Sequence, residues 1–329
     1  MSVTLPVTSS ATSSLPVLLV LDAEPSPRLG ALAGRADVRY ADEHTLAAEL
    51  PRADALLVWD FASDAVRRAW PGPGPRPRWV HTPSAGVDRL LSPEFAASDT
   101  VLTNARGIFD EPIAEYVAGL VLAMAKDLPG TLELQRQRRW RHRESLFVAG
   151  SRAVVVGAGP IGLAIARTLR ALGVRVDVTG RTARPGVHGA EELDELLGHA
   201  DWVVCAAPLT GATRGMFDAR RFALMRPSAR FVNVGRGALV VEDALVTALK
   251  GRRIAGAALD VFEHEPLDPG SGLWDVPGLI VSPHMSGDTV GWRERLGEQF
   301  LDLFELWMAG KPLPNVVDKK RGYVPSHDS

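Results

Sequence analysis

Short apolar runs alternate with helical patterns along most of the sequence, and this alternation limits the fold more than any other feature. Strands that alternate with helices form parallel sheets with helices packed on both faces. The sequence therefore predicts an α/β protein. The alternation is strictest in the second half, where six strands in succession are typical of a doubly wound sheet. These predicted strands cover 152–156, 174–179, 201–205, 229–234, 254–259 and 279–282.

A smaller α/β region comes first in the chain. The proline-rich segment 71–77 cannot be a helix or a central strand, so we expect a surface loop there. The polar chain from Lys319 onward is expected to be loose. Apart from these segments, the apolar pattern predicts buried strands over 17–21, 55–58 and 78–82, and long helices over 112–126 and 288–309.

Length and charge limit the domain count and the partners. A chain of 329 residues is too long for one ordinary domain, so we expect two. Its 37 basic and 39 acidic residues give a formal net charge of -2, which supplies no overall field for nucleic acid or an anionic membrane. No stretch approaches the roughly 18 uninterrupted apolar residues of a membrane helix. We therefore expect neither a nucleic-acid nor a membrane partner.

The single cysteine, Cys205, lies in an apolar run and is expected to be buried and chemically inert. One cysteine cannot form an intramolecular disulfide. A reducing compartment, the cytoplasm, is therefore the expected location.

A glycine-rich turn joins the strand 152–156 to the helix that follows. The turn consists of Gly157, Ala158, Gly159, Pro160, Ile161 and Gly162. We expect a tight turn at Gly157, close approach of a pyrophosphate to the backbone at Gly159, and close packing of helix on strand at Gly162. The amides and dipole of the helix start favour phosphate. This context predicts a dinucleotide site, with a turn that serves only packing as the alternative.

The predicted organisation is discontinuous. A Rossmann dinucleotide-binding domain over 106–287 is inserted in a smaller, flavodoxin-like domain formed by 16–105 and 288–329. Residues 1–15 are predicted to be a flexible tail.

The residues after the second Rossmann strand distinguish NAD from NADP. An acid there would bond the ribose 2′-hydroxyl of NAD, whereas basic residues would accept a 2′-phosphate. Asp177 lies inside the strand and not beyond its carboxyl end, so we reject it as that acid. Arg181, Thr182 and Arg184 follow the strand, and two guanidiniums with a hydroxyl can bind a phosphate. NADP(H) is predicted, with NAD(H), or arginines that are merely solvated, as alternatives.

Three further patterns follow in order, each just after a predicted strand, where open α/β sheets bind ligands. They are Asn233-Val234-Gly235-Arg236-Gly237, Asp260-Val261-Phe262-Glu263-His264-Glu265-Pro266 and Ser282-Pro283-His284-Met285-Ser286-Gly287. Together with four other segments, they make nearly the whole chain similar to the D-isomer-specific 2-hydroxyacid dehydrogenase family. These segments are Ser84-Ala85-Gly86-Val87-Asp88, Ile113-Ala114-Glu115-Tyr116, Pro208-Leu209-Thr210 and Pro314-Asn315-Val316-Val317.

The resemblance implies three catalytic residues. Arg236 would bind the substrate carboxylate, His284 would be the general acid/base, and Glu265 would partner the histidine. The chemistry agrees, because arginine can meet a carboxylate with two parallel hydrogen bonds, and imidazole can hold a proton near neutrality for the carbonyl oxygen. Glu263 is a rival, but the acid directly before proline matches the family. A surface salt bridge for Arg236 and a structural hydrogen bond for His284 are the alternatives.

Further roles are implied by the same resemblance. In the smaller, substrate-binding domain, Ala85 and Gly86 would present backbone N–H groups to the substrate carboxylate. Asp260 would accept a hydrogen bond from the nicotinamide carboxamide, or else cap a turn. Three more residues would line the cofactor: Pro208, Thr213 and Gly287.

The basic stretch 135–143 contains one aromatic residue, Trp140. A nucleic-acid site is not favoured, because no other basic surface matches this stretch. We expect a solvated or a subunit-contacting arm. Since members of the family usually form dimers, a homodimer is expected.

The sequence therefore predicts an NADPH-dependent reductase that converts a small 2-oxo acid, of the glyoxylate or hydroxypyruvate type, to a D-2-hydroxy acid. A cofactor-sensing binding protein, similar to the corepressors on this fold, is the alternative. No metal is expected, because His264 has no second ligand at metal spacing. His81 and His142 are expected to be ordinary structural or surface residues.

Overall fold

The computed structural model of the chain describes residues 15–22, 28–70 and 74–325. Two compact units are present. Phe109–Thr289 forms the larger one, and the described residues up to Ile108 and from Val290 onward form the smaller one. Except for Leu15, the predicted tail lies outside the described residues, as do residues 71–73 of the predicted proline-rich loop.

Every pairing between the strands of the described residues is parallel. The smaller unit contains β1 (Val17–Leu21), β2 (Asp37–Ala41), β3 (Ala55–Leu57), β4 (Trp79–Thr82) and β5 (Val101–Asn104). The larger unit contains β6 (Arg152–Val156), β7 (Arg175–Thr179), β8 (Trp202–Cys205), β9 (Arg230–Asn233), β10 (Gly256–Leu259) and β11 (Leu279–Val281).

Ten α-helices accompany these strands in the described part of the chain, with α1 to α3 and α10 in the smaller unit. They are α1 (Leu46–Glu49), α2 (Ala65–Ala69), α3 (Pro93–Ala97), α4 (Asp110–Ala125), α5 (Leu128–Arg136), α6 (Pro160–Ala171), α7 (Leu193–Leu197), α8 (Ala219–Leu224), α9 (Glu242–Lys250) and α10 (Trp292–Met308). None of these helices has both the length and the apolarity that crossing a bilayer requires.

The smaller unit has the sheet order β2-β1-β3-β4-β5, which is the flavodoxin-like order. The sequence predicted β1, β3 and β4 but missed the other two strands. β2 is an edge strand that pairs only with β1, so its charged Asp37 and Arg39 stay exposed and conceal the strand pattern. β5 ends in the buried polar residues Thr103 and Asn104, which interrupt its apolar run.

The core of the smaller unit joins β4 to α10 through aromatic rings. Trp79 stacks on Phe300, with ring centroids 5.4 Å apart. The Trp79 indole also donates a hydrogen bond to Thr103 Oγ1 at 2.9 Å, and Nδ1 of His81 lies 2.9 Å from the same oxygen. His81 is fully buried, so its position agrees with the structural and not the surface alternative.

The C-terminal chain is held more firmly than expected. The Lys319 ammonium donates hydrogen bonds to the carbonyl oxygens of Ser98, at 2.5 Å, and Thr100, at 2.8 Å. Burial lowers the pKa of this lysine. The expectation of a loose chain from Lys319 onward is therefore wrong at Lys319, because its partners lie far away in the sequence.

The larger unit has the sheet order β7-β6-β8-β9-β10-β11. Beyond β7, a single parallel bridge joins Thr179 to His188. If His188 is counted as a strand and the strands of this unit are numbered along the chain, the order becomes 3-2-1-4-5-6-7. This is the Rossmann order 3-2-1-4-5-6 with one additional strand, β11, at the edge. The fold class is therefore the predicted one, two doubly wound parallel sheets.

Cys205 ends β8 and is completely buried. Burial raises the pKa of its thiol to about 12. Because the thiolate is the reactive form, this cysteine is inert in the folded protein, as expected.

We predict that His81 makes folding pH-dependent. Burial lowers the pKa of its imidazole to about 3, against about 6.5 in an unfolded chain. Its contribution to stability is therefore complete above pH 6.5 and is lost as the pH falls from 6.5 towards 3, by up to about 1.4 kcal/mol per pH unit. Urea unfolding between pH 7 and pH 5 should show a shallower pH dependence of the unfolding free energy in H81F than in the wild type.

The exposed His142 provides the matched control, and H142Q should keep the wild-type slope. An equal slope in H81F and in the wild type would contradict the prediction.

Candidate active site

Three adjacent strands of the larger unit place the predicted catalytic residues. Leu259 at the end of β10 is in register with Asn233 at the end of β9 and with Val281 at the end of β11. The loops that follow these strands therefore begin at one edge of the sheet, the carboxyl edge where such folds bind ligands. Arg236, Glu265 and His284 lie on these three loops.

His284 and Glu265 are hydrogen-bonded. Nδ1 of the imidazole lies 2.8 Å from Oε2 of the carboxylate, and the other oxygen, Oε1, accepts from the Phe262 amide at 2.9 Å. Because a carboxylate only accepts, Nδ1 carries the proton of this bond, and Nε2 is the nitrogen left for a reacting group. The rival Glu263 is exposed, and its amide donates to Glu242 Oε1 at 2.8 Å.

The backbone of His284 is in a left-handed conformation, with φ of 54°. Such a conformation costs free energy for a residue other than glycine, and it persists where the surrounding structure imposes it. The loop around this histidine is therefore held in place by its neighbours.

Arg236 lies on a turn that a buried asparagine organises. The Asn233 amide nitrogen donates to the Arg236 carbonyl oxygen at 2.9 Å, and its amide oxygen accepts from the Gly235 N–H at 3.1 Å. A Cβ on Gly237 would lie 1.8 Å from the carbonyl carbon of Phe262. The arginine turn thus packs directly on the backbone that binds Glu265. This role of Asn233 was not predicted, although a polar residue at the end of a buried strand is a signal for it.

Asp260 is completely buried and accepts three hydrogen bonds from the protein. Oδ1 accepts from the Ser282 hydroxyl at 2.5 Å and from the Met285 amide at 3.0 Å, and Oδ2 accepts from the Ser286 amide at 3.0 Å. The carboxylate therefore bonds the amides of a turn, which was the alternative to a nicotinamide contact. The contact with nicotinamide stays a prediction.

The glycine-rich turn has the expected local geometry for two of its three glycines. Gly157 has φ of 124°, and a Cβ there would lie 2.5 Å from the Ala206 carbonyl oxygen. A Cβ on Gly162 would lie 1.8 Å from the Gly157 carbonyl oxygen, so helix and strand pack closely. A Cβ on Gly159 would meet no atom within 4 Å among the described residues. The protein itself thus leaves open the space next to Gly159, at the start of α6, and the turn fits a dinucleotide pyrophosphate.

The segment after β7 carries the residues predicted to distinguish the cofactors. Arg181 and Thr182 are exposed. Arg184 donates a hydrogen bond to the Ala158 carbonyl oxygen at 2.9 Å, which ties this segment to the glycine-rich turn. Asp177 lies within β7, and its carboxylate pairs with Arg152 at 3.6 Å.

The remaining predicted cofactor residues of the larger unit lie in other loops and at the start of α6. The Thr213 hydroxyl donates to the Pro208 carbonyl oxygen at 2.7 Å, which closes the loop after β8. Gly287 lies against an aromatic ring, since a Cβ there would be 2.6 Å from Cδ1 of Phe109. Pro160 is the first residue of α6, and Ile161 follows it.

In the smaller unit, Ala85 and Gly86 lie on the loop after β4. The Asn104 side chain donates to the Ala85 carbonyl oxygen, and the Ser84 hydroxyl donates to the Gly86 carbonyl oxygen, both at 2.6 Å. These bonds fix the peptide planes of the loop. The predicted binding of a substrate carboxylate by the two amides stays a prediction.

A metal site would need several ligands in one place. Within the described ranges, no group of three or more histidine, cysteine, aspartate or glutamate side chains could hold a metal ion.

The chain matches known proteins over most of its length. The family model for the NAD-binding domain of D-isomer-specific 2-hydroxyacid dehydrogenases matches residues 118–286. A glyoxylate reductase of Thermococcus onnurineus is 32% identical over 300 residues, which cover 85% of this chain and 89% of that protein. A D-3-phosphoglycerate dehydrogenase of Mycobacterium tuberculosis is 30% identical over 94% of this chain, which spans only 60% of that protein.

A solved structure shares the fold. The NADPH-dependent glyoxylate/hydroxypyruvate reductase of Sinorhizobium meliloti, in complex with NADP and sulfate, superimposes with a TM-score of 0.80 and 30% identity. The match covers 94% of this chain and 100% of that one.

The glycine geometry predicts different effects for two alanine substitutions. Gly162→Ala puts a methyl group against backbone, so the unfolding free energy in urea should fall by about 1 to 3 kcal/mol or more. Gly159→Ala should change the unfolding free energy by less than about 0.5 kcal/mol but weaken NADPH binding, measured by fluorescence titration, because the methyl group would meet the pyrophosphate.

Gly119→Ala is the control, since Gly119 is exposed on α4 and a Cβ there meets nothing within 4 Å. NADPH binding by Gly159→Ala at wild-type affinity would exclude the pyrophosphate from this position.

Proposed function

This chain belongs to the D-isomer-specific 2-hydroxyacid dehydrogenase family, and we propose that it reduces a small 2-oxo acid of the glyoxylate or hydroxypyruvate type to a D-2-hydroxy acid with NADPH. The hydrogen bond between His284 and Glu265 carries the proposal, because it orients the imidazole as a general acid/base at the carboxyl edge of the sheet. The similarity to the glyoxylate reductase of T. onnurineus and to the glyoxylate/hydroxypyruvate reductase of S. meliloti supports the substrate class. A binding protein without turnover would not need this pair.

Each residue of the site has a separate role in the reduction. NADPH, when bound, supplies the hydride. Arg236 binds the substrate carboxylate and so orients the carbonyl group. Protonated His284 gives a proton from Nε2 to the carbonyl oxygen as charge develops there, while Glu265 holds Nδ1 by its hydrogen bond. In the reverse direction neutral His284 takes the proton from the hydroxyl group.

The cofactor preference follows from the segment after β7. Asp177 is engaged with Arg152 inside the strand, so no carboxylate of this strand stands where it would repel a 2′-phosphate. Arg181 and Thr182 are exposed at the strand's carboxyl end and offer a charged and a neutral donor. The hydrogen bond from Arg184 to Ala158 holds this segment beside the pyrophosphate turn. These features support NADPH over NADH.

We also propose a homodimer, in the cytoplasm, formed through α5 and the segment after it. No residue of α5 is buried. Leu132 is 53% exposed, Phe147 82% and Trp140 fully exposed. Large apolar side chains exposed together on one segment are typical of a protein interface.

Cofactor preference is tested by kcat/KM for NADPH and NADH. The wild type should favour NADPH, and Arg181→Ala should lower kcat/KM for NADPH about tenfold to a hundredfold, because one charged hydrogen bond is worth about 1.5 to 3 kcal/mol. The value for NADH should change little. Arg175→Ala, which removes an exposed arginine at the other end of β7, should change neither value. Equal use of both cofactors by the wild type would refute the preference.

Proton transfer is tested by the kinetics of variants at two residues of the site. His284→Ala should lower kcat for reduction about a hundredfold or more with nearly unchanged NADPH affinity. Arg236→Ala should raise KM for the oxo acid.

His264→Ala is the matched control, since His264 is exposed next to Glu265, and its kcat should equal that of the wild type. A near-normal kcat in His284→Ala would make another group the acid.

The dimer is tested by sedimentation velocity. Replacement of both Trp140 and Phe147 by serine should dissociate it, whereas Val290→Ser, at a fully exposed apolar position elsewhere, should not. A monomeric wild type would disprove the proposal.

A further inference from the structure

Loop 282–287, which carries His284, is tied on both sides of the histidine to one buried carboxylate. Asp260 accepts from the Ser282 hydroxyl before the histidine and from the Met285 and Ser286 amides after it. The three hydrogen bonds lie on both sides of His284, whose backbone is left-handed with φ of 54°. Asp260 is therefore in a position to impose that backbone conformation.

A tyrosine on a separate helix completes this arrangement. The hydroxyl of Tyr116, on α4, lies 2.6 Å from the Ser282 hydroxyl oxygen. Ser282 is buried, and the tyrosine is partly buried. A chain of hydrogen bonds thus runs from α4 through Ser282 to Asp260 and on to the loop of His284.

The direction of the hydrogen bonds in this chain follows from the number of protons. A serine hydroxyl has one proton and two acceptor positions, and an ionised carboxylate can only accept. The Ser282 proton is used in the bond to Asp260, so the bond with Tyr116 must be donated by the phenol. The two bonds are therefore linked, because the phenol donates to the same oxygen that donates to the carboxylate, and each bond polarises the other.

We propose that Tyr116 and Ser282 are positioning residues for His284, which act through Asp260 and keep the imidazole aligned with Glu265. The part of this inference that concerns turnover rests on the proposed function. The hydroxyl groups of Tyr116 and Ser282 form their described hydrogen bonds with each other and with Asp260, and not with His284. Their effect on the reaction is therefore indirect.

The position of the imidazole can be measured without turnover. In protein labelled with ¹⁵N-histidine, the ring nitrogens of His284, assigned with His284→Ala among the eight histidines, report protonation and hydrogen bonding to Glu265. Tyr116→Phe and Ser282→Ala should both shift the ring resonances of His284, with those of the other histidines unchanged. Tyr40→Phe, which alters an exposed tyrosine on β2, should leave the spectrum as in the wild type.

Kinetics on the same variants test the consequence for the reaction. Loss of one hydrogen bond in the chain should lower kcat for 2-oxo acid reduction about 3- to 10-fold, with the dissociation constant for NADPH unchanged within about twofold. The double variant should lose no more than Ser282→Ala alone, since both substitutions break one chain.

Several results would overturn the proposal. A His284 spectrum and kcat in Tyr116→Phe equal to the wild type, with only a lower urea midpoint, would make the tyrosine structural. Losses that add up in the double variant would show that Tyr116 does not act through Ser282. If the wild type reduces no 2-oxo acid, the proposed function fails, and the histidine spectra still decide whether Tyr116 and Ser282 position the ring.

Discussion

The parallel pairing of β9, β10 and β11 is the constraint on which the rest of the site depends. Their last residues are in register, so the loops that carry Arg236, Glu265 and His284 leave one edge of the sheet side by side. Successive side chains of a strand point to opposite faces, and a shift of β10 by one residue would turn its end away. The buried carboxylate of Asp260 would then no longer accept hydrogen bonds from the loop of His284.

Each accessible side chain of the site is supported by a buried polar group. Asn233 holds the turn of Arg236, the Phe262 amide holds Glu265, and Asp260 holds the loop of His284. Buried polar groups with complete hydrogen bonding impose one arrangement, whereas reacting groups must stay accessible to a substrate. Residues that never touch the substrate can therefore control how the accessible ones are placed.

The predictions that succeeded depend on local pattern. All six strands of the larger sheet were predicted, and two of them, β8 and β10, are continuous apolar runs buried along their whole length. β2 was missed because an edge strand keeps charged side chains, and β5 because Thr103 and Asn104 pair with partners far along the chain. The same limit applied to Lys319, whose acceptors are the distant carbonyl groups of Ser98 and Thr100.

The sequence by itself determined the α/β class, the strand, turn and helix of the dinucleotide site, and the three loops that resemble a dehydrogenase site. These features are encoded by neighbouring residues. Only the tertiary structure decided which groups meet. Glu265 bonds His284 while Glu263 does not, and Asp260 accepts hydrogen bonds from the Ser282 hydroxyl and two backbone amides. Such pairings join residues that are distant along the chain, and they depend on strand register and packing, which no local pattern specifies.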